Sequence, residues 1–181
     1  FLAGAAHFLL RVTDWRWFLT EIKNKIVEEL DFRNEAANAA RLSACFSNRT
    51  DIVVPRLFPR WSSRKVLCME WIEGIKVSDA AELKKAGLSP RQVGLLFQGV
   101  SAEMMCSHGF VHGDMYPGNV FVRALPPQPN MFAPIFPWLR HNRPQIVLID
   151  HGLYFTLPSE MRILYCMMWC AFVLNDSATA H

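Results

Sequence analysis

The stretch His112-Gly113-Asp114-Met115-Tyr116-Pro117-Gly118-Asn119 decides the fold, together with the later segment Ile149-Asp150-His151-Gly152. Asp114 precedes Asn119 by five residues, and an apolar run, 120–122, follows at once. Asp150 ends a second apolar run, 146–149, and stands close to a glycine. Loops bounded by strands can bring such polar residues together although they are distant in the chain. Carboxylate and amide oxygens suit Mg²⁺, so the pattern predicts a magnesium site.

The two segments also fit the requirements of phosphoryl transfer. That reaction needs a group that orients or deprotonates the acceptor, oxygen ligands for magnesium, and a cation on the nucleotide phosphates. Asp114 and Asn119 keep the offset of the kinase catalytic loop HRDxxxxN, in which the acid is the base and the amide binds magnesium. Asp150 stands where the DFG aspartate belongs. Each motif alone is a weak signal, but the two in this order, next to apolar strands, predict a kinase-like site for ATP and Mg²⁺.

The segments before the first loop predict helices and short strands of an α+β arrangement. A helix is expected from Thr13 or Asp14 to about Ser43, with or without a break. Its apolar residues at i, i+4 spacing predict a buried stripe: Phe18, Ile22, Ile26 and Leu30. The β-rich runs 52–54 and 66–72 are interpreted as antiparallel neighbours. Ser89, Pro90 and Gln92 then mark the start of a second helix, which Gly109 ends.

Two further segments lie on either side of the second loop, one before it and one after it. The stretch 124–144 holds six of the eleven prolines and is predicted to be a loop insertion between two strands. The apolar run 161–174 contains Arg162 and is shorter than the roughly 20 residues that span a bilayer. We therefore interpret it as a buried core helix.

Composition limits the class of protein. A chain of 181 residues with 51% hydrophobic content is expected to bury one core and form one domain or most of one. The net charge of +3 is spread along the chain, so nucleic acid is not expected as a partner. Five cysteines without close CxxC pairs predict reduced thiols in an intracellular compartment. Cys166 and Cys170 share a helical face, where buried structural thiols are favoured over a metal pair.

Four stretches resemble the UbiB family, the aarF-domain-containing atypical kinases: 27–38, 69–74, 109–122 and 148–154. His151 stands in place of the usual phenylalanine and is followed by Gly-Leu-Tyr. In this respect the sequence resembles the branch of mitochondrial aarF-domain-containing kinases 1 and 5. The resemblance implies an atypical protein-kinase-like fold, truncated at the N-terminal lobe, that binds ATP and Mg²⁺. Residues 1–72 would be the remainder of the N-lobe and 73–181 the C-lobe. It also implies mitochondrial localisation and links to coenzyme Q biosynthesis and lipid homeostasis, with a membrane lipid or a coenzyme Q pathway protein as partner.

The resemblance also implies roles for single residues of the catalytic centre. Asp114 would be the acidic residue of the catalytic loop, and Asn119 and Asp150 the magnesium ligands. Glu35 would be the partner of the lysine that binds the nucleotide phosphates.

A second group of residues matches two other family features. Glu29 and Asp31 match the ExD pair, which engages an extra N-terminal segment. Because Glu29 and Glu35 are six residues apart, about 240° around a helix, we expect them to have separate roles. Glu70 to Ile72 would be the hinge that contacts adenine, next to a gatekeeper.

Three family features are absent from the chain: the KxGQ segment, the alanine-rich nucleotide loop and the strand lysine. All are expected before residue 1, so the chain by itself is expected to be inactive. A small-molecule kinase of the aminoglycoside or choline type is the nearest enzymatic alternative, and a non-catalytic module that responds to nucleotide or lipid is another. A zinc site formed by His108, His112 and His151 is a further alternative.

Overall fold

The computed structural model describes residues 30–125 and 142–174 and the single positions 19, 20, 23 and 26. The mixture of helices and strands confirms the α+β prediction. The helices are α1 (Phe32–Cys45), α2 (Ala80–Lys85), α3 (Pro90–Glu103) and α4 (Ser159–Leu174). The strands are β1 (Ile52–Val53), β2 (Ile75–Lys76), β3 (Phe110–His112), β4 (Val120–Leu125), β5 (Arg143–Leu148) and β6 (Tyr154–Thr156). A 3-10 helix, Pro59–Trp61, and a π-helical turn, Met104–His108, complete these elements.

A four-stranded sheet carries both candidate loops. Its order is β1-β5-β4-β2, and β4 pairs with β5 in antiparallel fashion from Val120↔Leu148 to Leu125↔Arg143. Val120, Val122, Ile146 and Leu148 are fully buried, as expected for β-branched and apolar side chains in a central pair of strands. The predicted strands on either side of the proline-rich stretch are therefore confirmed. Residues 126–141 of that stretch lie outside the described residues.

The predicted pairing of 52–54 with 66–72 is wrong. β1 pairs in parallel with Ile146 and Val147 of β5, while 66–72 forms only the isolated bridges Leu57↔Met69 and Ser63↔Val66. Pro55 and Pro59 lie between the two runs and cannot donate to a ladder, which disfavours a continuous hairpin. β1 pairs instead with β5, on the side of β5 that faces away from β4.

The first helix is partly as predicted. α1 begins after Asp31, whose side chain accepts a hydrogen bond from the Arg33 N–H, and it ends at Cys45, close to the predicted Ser43. The predicted buried stripe is wrong at its described members, because Ile26 is 50% exposed and Leu30 65% exposed. Helical spacing defines a stripe, but a neighbouring element is needed to bury it. Phe18 and Ile22 lie outside the described residues.

α3 confirms the predicted start and end of the second helix. Ser89 is the N-cap residue and Pro90 the first helical residue, although the Ser89 side chain makes no capping hydrogen bond. The π-helical turn extends α3 to Gly109, whose φ of 59° is in the left-handed region that favours glycine. The chain therefore reverses at Gly109 and enters β3 directly before the catalytic-loop motif.

One core joins the helices to the sheet behind the loops. It contains nine buried residues from α1 and its C-cap, β1, α3, the π-helical turn, β3, β4 and β5: Leu42, Phe46, Ile52, Val100, Met104, Phe110, Val120, Ile146 and Leu148. A smaller cluster joins α2 and α3 to β4: Leu83, Leu88, Val93 and Val122. Since β4 and β5 are anchored on both sides of the loops, the packing fixes where the loops begin and end.

α4 forms as a helix, but the prediction that it is a buried core helix is wrong. Among its described side chains only Ala171 is buried, while Leu164, Trp169 and Phe172 are more than half exposed. The apolar residues of α4 are distributed around all sides of the helix, so its sequence does not select one face for burial. Within the described residues, α4 packs mainly against the π-helical turn. No helix among the described residues combines the length and apolar character needed to cross a membrane.

The cysteine side chains of α4, like its apolar side chains, are partly or largely exposed to solvent. All five cysteines are free thiols. Cys170 is exposed and Cys166 is only partly buried, so the prediction of two buried thiols is wrong. Together with Cys106 they line a cavity of about 330 Å³, and burial raises the pKa of the Cys106 thiol.

Arg162 is the charged residue within the apolar run, and its hydrogen bonds account for its position there. Its Nη1 donates to the carbonyl oxygens of Cys106 (3.1 Å) and Ser107 (2.6 Å), at the end of the π-helical turn. Terminal carbonyl groups of a helix need such donors, and a cation there also offsets the helix dipole. Arg162 therefore fastens α4 to the end of α3.

Candidate active site

The two candidate loops meet at the ends of β4 and β5. Because Val120 pairs with Leu148, the residues before β4 and after β5 are adjacent in space. The Ile149 N–H donates to the Asn119 carbonyl oxygen at 3.2 Å. Asn119 therefore lies beside the chain one residue before Asp150, as the sequence pattern predicted.

Direct hydrogen bonds fix Asn119 to Asp114 inside the first loop. The Asn119 Nδ2 donates to the Asp114 carbonyl oxygen (3.1 Å) and to its carboxylate Oδ2 (3.2 Å). Asn119 is buried, with 6% of its surface exposed, and its N–H donates to the Tyr116 carbonyl oxygen. Gly118 allows this tight turn, since a Cβ there would overlap the Tyr116 ring. The acid and the amide are thus held as a pair.

His112 joins the first loop to the second. Its Nδ1 accepts from the Asp114 N–H at 3.1 Å, so Nε2 carries the proton and donates to the Asp150 carbonyl oxygen at 2.6 Å. Burial lowers the pKa of His112, which favours this neutral form. One imidazole therefore sets the separation of the two backbones that carry Asp114 and Asp150.

His151 is a buried neutral residue, with 1% of its surface exposed. Its Nε2–H donates to the Leu148 carbonyl oxygen (3.0 Å), and its Nδ1 accepts from the Tyr154 hydroxyl (2.9 Å). Burial is the main cause that lowers its pKa to about 4, and the neighbouring His112 adds to the effect. The same burial raises the pKa of Tyr154. His151 thus holds the chain after Asp150 by hydrogen bonds at both ring nitrogens.

Helix α1 contacts the second loop through Glu35. The Glu35 Oε1 accepts from the His151 N–H at 3.3 Å. Burial raises the pKa of Glu35, and the nearby Asp150 charge raises it further, while the backbone hydrogen bond opposes both. Within the described residues, the carboxylate predicted to face a lysine is therefore directed at the Asp150 loop.

The acids at the start of α1 lie apart from this contact. Asp31 caps the helix and pairs with Arg33 (2.6 Å) and more distantly with Arg64 (3.7 Å). The side-chain hydrogen bond from Arg33 lowers the pKa of Asp31 to about 2. Glu29, the other member of the predicted ExD pair, lies outside the described residues.

A cavity of about 690 Å³ adjoins the second loop. Residues 69–74 form one side, and Phe121 and Ile149 complete the lining. Glu70 and Ile72 are both among the lining residues, as expected for the predicted hinge. Since Ile149 directly precedes Asp150, a molecule in this cavity would end close to the predicted magnesium ligand.

The zinc alternative does not fit the histidines. Both ring nitrogens of His112 and of His151 are engaged in hydrogen bonds, and His108 Nε2 lies 3.3 Å from Glu103. A zinc ligand needs a free imidazole nitrogen. Across residues 30–125 and 142–174, no group of three or more His, Cys, Asp or Glu side chains is arranged to hold a metal ion by itself.

Sequence reasoning missed two residues of this site. Asn38 donates from Nδ2 to the His151 carbonyl oxygen at 3.0 Å, and Tyr154 donates to the His151 ring. Asn38 stands three residues after Glu35, so helical spacing placed it on the same face. The pairing of β3 with β6, which brings Tyr154 opposite His112, was also missed. The aromatic and β-branched residues of both short runs were the available signal.

The fold and the paired loops define the class of atypical protein-kinase-like domains. Residues 1–181 match the family described as the ABC1 atypical kinase-like domain, and the chain belongs to this family. It is 36% identical to AarF domain-containing protein kinase 1 of Xenopus tropicalis over 90% of this chain and 29% of that protein. It is 35% identical to the probable serine/threonine-protein kinase abkD of Dictyostelium discoideum over 91% of this chain and 22% of that protein. These relatives confirm the predicted aarF family.

A solved structure supports the fold. The chain is similar, with a TM-score of 0.66 and 22% identity, to Rv3197 of Mycobacterium tuberculosis, which was solved in complex with erythromycin. The match covers 98% of this chain and 40% of that chain. The chain spans under a third of the length of the two curated kinases above. Membership of the ABC1 family decides against the aminoglycoside or choline type of kinase.

Proposed function

We propose that the protein to which this chain belongs binds ATP with Mg²⁺ and transfers or hydrolyses its terminal phosphate. One observation carries the proposal: His112 and Asn119 tie Asp114 and the backbone of Asp150 into a single cluster. That cluster adjoins a cavity of about 690 Å³ lined in part by Ile149. An acid, an amide and a second acid next to a cavity would supply two of the requirements of phosphoryl transfer, the group that orients the acceptor and the oxygen ligands for magnesium.

The polar atoms of the cluster support separate roles. Asp114 would orient the acceptor and receive its proton. The Asn119 amide nitrogen is bonded to Asp114, so its oxygen would be the atom that binds Mg²⁺. Asp150 would supply the charged ligand, with one carboxylate oxygen held by the Gly152 N–H at 3.0 Å. Bound Mg²⁺ would offset charge on the phosphates while these residues keep their positions.

The remaining site assignments belong to the same proposal. The backbone of Glu70 to Ile72 would contact adenine, because this segment lines the cavity beside the Asp150 loop. Glu35 would accept a cation from the rest of the protein in addition to the His151 N–H. Glu29 and Asp31 would engage a further segment as the ExD pair. The division into N-lobe residues 1–72 and C-lobe residues 73–181 is also proposed.

The physiological role is proposed from the resemblance of the sequence motifs to the UbiB family. On that basis we propose a mitochondrial location. On the same basis we propose a role in coenzyme Q biosynthesis or lipid homeostasis. The partner would be a membrane lipid or a protein of the coenzyme Q pathway.

Paired substitutions of the two acids test this proposal. In the whole protein, Asp150→Asn should weaken Mg²⁺-dependent ATP binding by at least about tenfold, because it removes the charged metal ligand. Asp114→Asn should leave that binding within about twofold and lower turnover by roughly 10²–10⁴-fold, because it removes the proton acceptor. Titration calorimetry with and without Mg²⁺ and a phosphate-release assay measure the two effects.

A matched control is Asp79→Asn, since Asp79 is an exposed helix cap outside the cluster. It should change neither quantity. Unchanged binding and turnover in both site variants would contradict the proposal. A wild-type protein that binds Mg-ATP without any turnover would support the non-catalytic nucleotide-responsive module instead.

A further inference from the structure

We propose that Asn38 is a positioning residue that orients the Asp150 carboxylate for metal binding through the peptide between His151 and Gly152. This inference rests on the proposed function, because it assigns Asn38 to the same magnesium site. Asn38 does not itself touch the expected metal position. Its effect passes through one planar peptide group.

Hydrogen bonds hold both ends of that peptide group. The His151 carbonyl oxygen accepts from Asn38 Nδ2 at 3.0 Å. The Gly152 N–H, in the same peptide unit, donates to Asp150 Oδ1 at 3.0 Å. A peptide unit is planar, so the direction of its C=O fixes the direction of its N–H. Asn38 therefore sets the orientation of the donor that holds one oxygen of the Asp150 carboxylate.

The neighbouring contacts leave this peptide as the adjustable part of the loop. The His151 N–H is held by Glu35, and its ring is held by Leu148 and Tyr154. The preceding carbonyl, that of Asp150, is held by His112. Without Asn38, rotation of the 151–152 peptide would be opposed mainly by the bond between Gly152 and Asp150. Glycine at 152 has no Cβ to restrict that rotation.

The neutral side chain of Asn38 suits this role. Glu35 contacts the same residue, but the charge of the nearby Asp150 raises the pKa of its carboxyl group. Glu35 would also be attracted by any cation that neutralises the nucleotide phosphates. An amide donates a hydrogen bond without adding negative charge beside the metal ligands. Asn38 can therefore hold the loop whether or not Glu35 is engaged elsewhere.

The helix that carries Asn38 is well anchored. Ala39, the next residue, is 1% exposed, and Leu42, one turn further on, is fully buried in the main core. Positioning through such a rigid element transmits displacement of the helix directly to the loop. A shift of α1 would thus reach Asp150 through Asn38.

The test uses Asn38→Ala in the whole protein, with Asn142→Ala as the matched control. Asn142 also donates from its side chain to a backbone carbonyl, that of Ala86 at 2.9 Å, but it lies outside the site. Asn38→Ala should weaken Mn²⁺ affinity in the presence of ADP by about 10-fold or more, as outer-sphere partners of metal ligands do. ADP affinity without metal should stay within about twofold. Electron paramagnetic resonance of Mn²⁺ and calorimetry measure these affinities.

Two further measurements separate positioning from a general loss of structure. Backbone hydrogen exchange in the segment 149–153 should become faster in Asn38→Ala and stay unchanged in Asn142→Ala. In the Asp150→Asn background, adding Asn38→Ala should cause no further loss of Mn²⁺ affinity, because both act through one carboxylate.

Each outcome decides the inference. Unchanged exchange in 149–153, or Mn²⁺ affinity within twofold of the wild type, would overturn it. Equal losses in metal affinity from Asn38→Ala and Asn142→Ala would overturn it as well, since they would reflect stability alone. A wild-type protein that binds no Mn²⁺ with ADP would instead refute the proposed function and the metal role of Asn38 with it. The exchange rates would then still show whether Asn38 holds the loop.

Discussion

At the residue scale, the imidazoles of His112 and His151 are structural connectors that work only when neutral. Each uses one ring nitrogen as donor and the other as acceptor. Protonation of His151 would turn the acceptor that meets the Tyr154 hydroxyl into a second donor and place a positive charge in the interior. Because His151 is 1% exposed, water cannot solvate that charge.

The stability of the protein should therefore fall in mild acid. The unfolded chain protonates His151 near the ordinary histidine pKa of 6.5, whereas the folded protein, in which burial lowers that pKa, does so only near pH 4. Between these values the unfolded state binds more protons, so this residue lowers the free energy of unfolding by up to about 1.4 kcal/mol per pH unit as pH falls. The stabilisation is fully present above pH 6.5. The lowered pKa of His112 acts in the same direction.

Urea unfolding at pH 7, 6 and 5 measures this dependence. His151→Phe removes the titrating group, so the variant should lose stability less steeply with falling pH, whatever its stability at pH 7. Identical slopes for the variant and the wild type would show that His151 is not responsible.

At the element scale, α1 performs three tasks along its length. Its N-cap Asp31 satisfies the first turn, the face with Glu35 and Asn38 contacts the Asp150 loop, and Leu42 enters the core. The helix thus joins the interior of the domain to the Asp150 loop. Its position depends chiefly on the buried apolar residues of its last turns.

Truncation of a core residue on α1 should destabilise the fold strongly. Leu42→Ala should lower the free energy of unfolding by about 2–5 kcal/mol, because Leu42 is fully buried and its removal leaves a cavity. Leu164→Ala makes the same chemical change on α4, where Leu164 is 66% exposed, and should cost no more than about 0.5 kcal/mol. Chemical denaturation of both variants provides the comparison. Equal losses would mean that α1 is not anchored as described.

At the scale of the whole molecule, distant segments enclose the candidate nucleotide cavity. Residues 69–74 approach β4 so closely that a Cβ on Gly74 would lie 3.0 Å from the Phe121 Cβ. β4 pairs with β5, whose continuation at Ile149 completes the cavity and leads into Asp150. The cavity and the Asp150 loop are therefore parts of one arrangement around the same two strands.

Filling the cavity should affect nucleotide binding independently of metal. Phe121→Trp places a larger ring in the lining and should weaken ATP and ADP binding by about tenfold, equivalent to about 1.4 kcal/mol, with or without Mg²⁺. Leu95→Trp, at a position of α3 that is 55% exposed, should leave affinity unchanged. Calorimetric titrations distinguish this effect from that of Asp150→Asn, which requires Mg²⁺. An unaltered affinity in Phe121→Trp would place the nucleotide elsewhere.

The sequence by itself determined the features that depend on local order. Pro90 and Gly109 delimited α3 and its π-helical extension through fixed backbone conformations. Apolar runs on both sides of the loops indicated β4 and β5, and their position next to Asn119 and Asp150 predicted that the two residues would meet. The aarF family was also evident from sequence, because its motifs are contiguous.

Only the tertiary structure decided which surfaces pair. It joined β1 to β5 rather than to the 66–72 segment, and it left α4 largely exposed despite its apolar sequence. It also placed Asn38 against the His151 carbonyl oxygen, a contact between residues 113 positions apart. Periodicity specifies the face that an element presents, whereas its partner is chosen by competition among all the surfaces that the folded chain brings within reach.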